Sequence, residues 1–404
     1  MLARVGQQVR VSGLKIRTVS VRIRPRAPLF MITFNPDKFG FYRVGEKTTY
    51  SKFEAFEWSN ATNIPVVWDF NDNIFSKIDW KKEPDTDLWE MYKQRARQIR
   101  EAYDYVVLWY SGGSDSHNIL MAWLDAGLKI DEIATTWNYK ATGNYQNHYN
   151  AEITNVVLPD IKKLKDAGYD FNFRIVDISQ FVVDLFDEWK TEFEYNVNFH
   201  LSPNNPAKHL FREKIDDYKN IINQGKKLCF VWGKEKPALL KQDNKHCFVF
   251  TDNIDNCVGP YVQRNYYKGW FDELFYWTPD FPELPVKQAH VLNNFIKHCE
   301  DRTLFEAINS ERFQPNGISS RFDMHLKDPF VKTVLYPKWS NDIFCNGKTA
   351  SFTYSIRDGW FLKSNLDKMN RYMQISDSYF KRIDSDNKTR RSIRPHFSQR
   401  YWIE

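Results

Sequence analysis

Residues 111–116 read Ser-Gly-Gly-Ser-Asp-Ser, and no other segment of the chain is better equipped to hold an anion. The segment follows a β-rich apolar run, Tyr105 to Tyr110. It precedes a helical pattern with Ile119, Leu120, Trp123, Leu124 and Leu128 on one face. The order is strand, glycine turn, helix N-terminus. The first turn of a helix carries unpaired backbone N–H groups and the positive end of its dipole, and both favour a phosphate. Gly112 and Gly113 let the backbone approach that phosphate with no Cβ in the way. The hydroxyls of Ser111, Ser114 and Ser116 add donors, and Asp115 adds a carboxylate suited to Mg2+. A second loop, Gly233-Lys234-Glu235-Lys236-Pro237, follows another buried-looking strand, Leu228 to Trp232. In a parallel sheet it should emerge on the same edge as the first loop. Lys234 and Lys236 are compact cations well suited to phosphate. Glu235 is a second candidate for Mg2+. A solvated basic turn is the alternative for this loop.

Three readings compete for this strand–turn–helix loop. A Walker A loop needs Gly-x-x-x-x-Gly-Lys-Ser/Thr, and the first loop has no lysine. A hydrolase nucleophile elbow needs Gly-x-Ser-x-Gly, and Ser116 stands where its last glycine belongs. The third is the Ser-Gly-Gly-x-Asp-Ser loop, matched in full from Ser111 to Ser116. On these residues the chain resembles the PP-loop ATP pyrophosphatase superfamily. The likeness to the superfamily is close over about residues 100–140 and looser to roughly 255, and within it the chain looks most like the synthetase domain of asparagine synthetases. The resemblance implies an adenine nucleotide alpha hydrolase-like fold with ATP and Mg2+ as cofactors, the ATP being cleaved between its α and β phosphates. It implies pyrophosphate on Ser111, Gly112, Gly113, Ser114 and Ser116, with Asp115 holding the Mg2+ of the nucleotide, and adenine near Thr135, Thr136 and Trp137. Trp137 would stack on the base, unless it packs in the core. Asparagine synthetases carry a second motif, Ser-Gly-Asp-Gly-Ala-Asp-Glu-Leu-Phe. Gly233 and Glu235 echo it in one place. Asp272-Glu273-Leu274-Phe275 echoes it in another, where Trp270 and Phe271 replace the Gly-Ala. Asp252 is a further weak carboxylate candidate.

The elements that must position these loops alternate along the chain. Strands near Tyr105–Tyr110, Ile130–Trp137, Phe171–Val176, Leu228–Trp232 and Cys247–Thr251 are separated by helical patterns. The spacing predicts helices near residues 147–167, 181–189 and 207–223. Strand–helix alternation implies an α/β fold with a doubly wound, mostly parallel sheet, and ligands at the carboxyl ends of the strands. Residues 31–80 read as a small β-rich N-terminal region. Its hairpin would run from Phe39 to Val44, turn at Gly45-Glu46-Lys47, and return over Thr48 to Phe56. Asp85 or Thr86 would cap a helix running to about Tyr103. The nucleotide-binding domain would span residues 81–280, and residues 281–404 read as mostly helical.

The chain has 404 residues, enough for a large core and more than one domain. Aromatics make up 16% and include 14 tryptophans, which predicts wide aromatic packing or binding surfaces. The net charge of +6 misleads about partners. Residues 1–30 carry Arg4, Arg10, Lys15, Arg17, Arg22, Arg24 and Arg26 with no acid, so the rest of the chain is close to neutral. This arginine-rich stretch is like a transit peptide or a basic arm, but Pro25 and Pro28 interrupt it. It is read as a poorly ordered extension ahead of a natural start at Met31. No apolar run approaches ~18–20 residues, so no membrane helix is expected. The five cysteines (Cys229, Cys247, Cys257, Cys299, Cys345) are scattered, without a Cys-x-x-Cys, as in a reducing, cytoplasmic setting. The pairs His246-Cys247 and His298-Cys299 lack zinc-ligand spacing.

The expected activity is that of an ATP-dependent, AMP-forming carbon–nitrogen ligase. It would adenylate a substrate oxygen, release pyrophosphate, and transfer a nitrogen nucleophile to a small-molecule acceptor. Asp115, Lys234 and Lys236 are the expected catalytic residues, and Asp115 and Glu235 the expected Mg2+ ligands. Neither Met1 nor Met31 is followed by cysteine, so no N-terminal glutaminase nucleophile follows either, and ammonia or an amine would come from outside. Two rivals remain. One is a tRNA-modifying enzyme, favoured by the C-terminal basic cluster around Lys388, Arg390, Arg391 and Arg394 and by the aromatic content. The other is a non-catalytic ATP-binding module.

Overall fold

The computed structural model describes residues 31–142, 152–188, 204–233, 238–242, 245–252, 268–298, 334–339 and 397–404. It begins with three short strands, β1 (Phe41–Val44), β2 (Lys47–Thr49) and β3 (Val67–Asp69), in the antiparallel order β2-β1-β3. The expected hairpin turns at Gly45, whose φ of 60° falls in the left-handed region. Its return strand stops at Thr49 instead of reaching Phe56. Lys52–Thr62 is a helix, α1. The cause is a side-chain N-cap, locked from behind by Thr49. Ser51 Oγ accepts from the Glu54 amide at 3.3 Å, and the Glu54 side chain turns back to accept from Thr49 Oγ1 at 2.5 Å. Ser-x-x-Glu is a helix-start signal that outweighs the β preference of the nearby aromatics. Helix α2 (Leu88–Ala102) is capped by Asp87, just after the expected positions; its carboxylate accepts from the amides of Trp89 and Glu90.

The α/β unit follows: β4 (Tyr105–Trp109), α3 (Ser114–Asp125), β5 (Glu132–Thr136), α4 (Leu158–Asp166), β6 (Asn172–Val176), α5 (Ser179–Glu188), α6 (Asn204–Phe211), α7 (Asp216–Asn223) and β7 (Leu228–Trp232). A short π-helical stretch, Ile153–Val157, leads into α4. The predicted helix over 207–223 is two helices, broken by the 3-10 turn Arg212–Lys214 and extended backbone at Ile215. At the break the Arg212 guanidinium turns inward to a buried carboxylate, Asp272, at 2.5 and 2.8 Å. Then come β8 (Ala238–Gln242), β9 (Lys245–Val249), β10 (Trp270–Leu274), α8 (Glu283–Lys297) and β11 (Tyr401–Trp402).

The central sheet has five strands in the order β10-β7-β4-β5-β6, all parallel. Numbered along the chain, these strands lie in the order 3-2-1-4-5, the doubly wound arrangement. The strand order reverses between β4 and β7. Sequence reading places the fifth strand at Cys247–Thr251; the structure places it at Trp270–Leu274. The Cys247 strand is β9, in a separate antiparallel sheet ordered β11-β9-β8. Chain length decides this. Parallel neighbours need a crossover of a dozen or more residues, and only a few separate β7 from β8 and β8 from β9.

The aromatics go mainly into packing. Phe70, Phe75, Trp80, Phe248, Phe250, Trp277 and Tyr401 interlock, with ring centroids 4.5 Å apart for Phe70–Phe250 and 4.6 Å for Trp80–Tyr401. This cluster joins the N-terminal region to β9 and β11. A buried ion network fastens the same region to β10. Glu273 accepts from Lys38 Nζ at 2.6 Å, from Arg95 at 2.7 Å, and from Tyr103. Among the described residues, no helix is long and apolar enough to cross a membrane. Residues 1–30 and, within the region read as mostly helical, residues 299–333 and 340–396 lie outside the described residues.

Candidate active site

The chain leaves β4 at Trp109 and reaches the first turn of α3 through Tyr110, Ser111, Gly112 and Gly113. Gly112 has φ 80°, a region costly for any residue with a Cβ. A Cβ there would also lie 3.0 Å from Val157 Cγ2 and 3.2 Å from the carbonyl of Glu152. Gly113 is the N-cap of α3 and offers no side-chain cap, so the first-turn amides need another partner. Ser111 and Ser116 brace the loop from inside. Ser116 Oγ donates to the Gly113 carbonyl at 3.0 Å and accepts from the Ser111 amide at 3.1 Å. Ser111 Oγ accepts from the Gly113 amide at 3.2 Å. These two hydroxyls, expected from sequence to face a phosphate, are tied to the loop itself. Ser114 differs. It is 2% exposed, and its hydroxyl has no hydrogen-bond partner among the described residues.

Gly233 comes up against this loop from the end of β7. A Cβ on Gly233 would lie 3.1 Å from the Asp115 carbonyl carbon, 3.1 Å from the Ser116 amide nitrogen and 3.2 Å from Asp115 Cβ. The two loops therefore share the point where the strand order reverses. Open α/β sheets bind ligands there, outside the carboxyl ends of the strands. Lys234, Glu235 and Lys236 follow Gly233 directly in sequence and lie outside the described residues.

Asp115 is gripped by tyrosines. Tyr336 Oη donates to Asp115 Oδ1 at 2.5 Å, and Tyr276 Oη donates to its backbone carbonyl at 2.7 Å. Tyr276 also accepts from Asn118 Nδ2 at 3.1 Å. Tyr92 Oη donates to the carbonyl of Leu335 and accepts from Gln288, both at 3.0 Å. The three rings contact one another, with centroids 5.5 to 6.4 Å apart. Burial, reinforced by the Asp115 charge, pushes the Tyr276 and Tyr336 phenols well above the ordinary range. They stay protonated and remain donors at any physiological pH. Asp115 offers the hard oxygen ligand that Mg2+ prefers. No group of three or more His, Cys, Asp and Glu that could hold a metal is present among the described residues. One carboxylate at a phosphate loop fits a Mg2+ that takes its other ligands from phosphate and water.

Behind the loop lies a polar triad that sequence reading missed. Tyr110 Oη donates to Asp160 at 2.6 Å and lies 3.1 Å from His117 Nδ1, which is itself 3.5 Å from Asp160. Burial works to raise the Asp160 carboxyl, but hydrogen bonds from His117 and Tyr110 outweigh it and the carboxyl sits below its usual range. The triad ties the end of β4 to α3 and α4. Glu152 was also missed. A Cβ at Gly113 would lie 3.5 Å from its Oε1, so a second carboxylate flanks the loop. Neither residue stands out in the sequence, because α4 and Glu152 approach from beyond the next strand.

The other predicted residues sort clearly. Thr135 and Thr136 end β5, and neither hydroxyl has a partner among the described residues. Trp137 is 6% exposed and packs in the main apolar core. Its position favours packing over a role as an open stacking surface. Asp272 pairs with Arg212 and accepts from Trp232 Nε1 at 2.6 Å, while Glu273 sits in the Lys38–Arg95 network. Both acids lie inside the protein within β10 and are committed to fixed partners. Asp252 accepts from Tyr42 at 2.9 Å. The chain matches no known family profile, and no curated protein shows significant similarity to it.

Proposed function

We propose that this protein is an ATP pyrophosphatase of the AMP-forming kind, an enzyme that activates a substrate oxygen with ATP and passes the activated group to a nitrogen nucleophile. One observation carries the reading: the complete Ser-Gly-Gly-x-Asp-Ser loop stands at the reversal point of a doubly wound sheet, with Gly233 closed against it. In this reading the first-turn amides of α3 and the Ser114 hydroxyl receive the β and γ phosphates. Ser111 and Ser116 hold the loop in shape. Asp115 holds Mg2+, which supplies charge neutralisation on the phosphates.

The acceptor's oxygen attacks the α phosphorus, and the bond from that phosphorus to the α–β bridging oxygen breaks. Both bonding electrons leave with pyrophosphate. Lys234 and Lys236, next along the chain from Gly233, are the cations assigned to that departing charge. Ammonia or an amine then attacks the activated carbon, loses a proton, and displaces AMP.

ATP labelled at its α phosphate, offered with carboxylate acceptors and ammonia, tests this. The expected labelled product is AMP, in amounts equal to the pyrophosphate released. Labelled ADP as the only product would overturn the reading.

A further inference from the structure

We propose that Tyr336 is the positioning residue for Asp115, so that a segment 221 residues further along the chain completes the metal-holding side of the loop. The inference rests on the reading of Asp115 as the Mg2+ ligand of the nucleotide.

Three observations support it. Tyr336 is fully buried, and its hydroxyl meets a carboxylate oxygen of Asp115 in the first turn of α3. A carboxylate has about four acceptor sites, and this bond occupies one of them while fixing the plane of the group. The tyrosine is itself fixed from both sides. Its ring lies 5.5 Å from that of Tyr276, which anchors the Asp115 carbonyl, and the neighbouring Leu335 carbonyl is bonded by Tyr92. Leu335 and Trp339 on either side of Tyr336 are buried as well, and the Trp339 ring lies edge-on to His117, two residues beyond Asp115. Each contact restrains Asp115 or its helix. Hydrogen-bond partners of this kind typically govern metal affinity by 10–100-fold, because they hold a ligand oxygen where the ion needs it.

The test is Mn2+ binding in the presence of ATP, followed by electron paramagnetic resonance, for the full chain, Tyr336→Phe, Asp115→Asn and the double variant. Circular dichroism confirms folding of each. The expected result is a loss of Mn2+ affinity of about tenfold in Tyr336→Phe. Asp115→Asn should lose more, and the double variant should match Asp115→Asn alone, since Tyr336 acts through that carboxylate. ATP affinity without metal should be unchanged in Tyr336→Phe. Wild-type Mn2+ affinity in Tyr336→Phe alongside a loss in Asp115→Asn would overturn the role of Tyr336 only. Additive losses in the double variant would show a general structural role and overturn it as well. Unchanged affinity in Asp115→Asn would overturn the placement of the metal, and this inference with it.

Discussion

Gly233 lies against Asp115 so closely that a Cβ would sit 3.1 Å from the Asp115 carbonyl carbon and 3.2 Å from its Cβ. The end of one strand is thereby locked to the first helical turn after its neighbour. The backbone of Gly233 does not have a left-handed φ, so the constraint is space alone. Gly233→Ala should push the two loops apart at a cost of ~1–3 kcal/mol, the usual range for overpacking. ATP affinity should fall about tenfold or more. Denaturant midpoints and nucleotide titration check this; unchanged ATP affinity would show that the junction is not part of the binding site.

Ser114 and Ser116 are near neighbours with opposite expectations. Ser116 braces the loop through the Gly113 carbonyl and the Ser111 amide, so Ser116→Ala should lower stability by about 1 kcal/mol. Ser114 buries a hydroxyl with no partner among the described residues, which costs stability in the free protein. Ser114→Ala should therefore leave stability unchanged or slightly raised, while weakening ATP. Thermal unfolding with and without ATP separates the two. A Ser114→Ala variant that binds ATP normally would exclude that hydroxyl from the phosphate contacts.

The Glu273 network predicts an acid limit. Burial works to raise the carboxyl, but the charges of Lys38 and Arg95 outweigh it, helped by hydrogen bonds from Lys38 and Tyr103, and hold it below the ordinary glutamate range. A depressed folded value stabilises the protein above the unfolded pKa, about 4.3 for glutamate. That contribution is lost as the pH falls below about 4 and on through the folded value. Glu273→Gln should cost about 3–5 kcal/mol near neutrality, because it leaves buried cations underpaired. It should also flatten the acid side of the stability profile. Urea midpoints between pH 3 and 7 read both effects, and a variant profile parallel to wild type would contradict the assignment.

How much of this was legible in the sequence depended on range. Ser111–Ser116 was readable because strand, turn and helix start are local signals, and the left-handed Gly112 is what such a turn requires. The α1 N-cap was also local, in Ser51 with Thr49 and Glu54, but the surrounding aromatics pointed to a strand. The fifth strand was misplaced because Cys247–Thr251 has β composition, and composition does not say which sheet a strand joins. The short connections from β7 to β8 and β9 carried that information. Tyr336 on Asp115, Asp160 on Tyr110 and Arg212 on Asp272 join residues tens to hundreds of positions apart, and no periodicity encodes such pairs. The same holds for Asp272 and Glu273. They echo a motif in sequence, yet their depth in β10 commits them to arginine and lysine.

The most direct measurement is calorimetric titration of inorganic pyrophosphate and of ATP with Mg2+ into the wild-type chain and Gly113→Val, each checked for folding by circular dichroism. Gly113 has an ordinary extended backbone that valine can adopt, but the added Cβ would press on Ser111 Oγ at 3.3 Å and lie 3.5 Å from Glu152 Oε1, so the side chain would crowd the loop. The account predicts that the wild type binds both ligands, that pyrophosphate competes with ATP, and that Gly113→Val loses both. Equal binding by the two proteins, or none by the wild type at millimolar ligand, would contradict it.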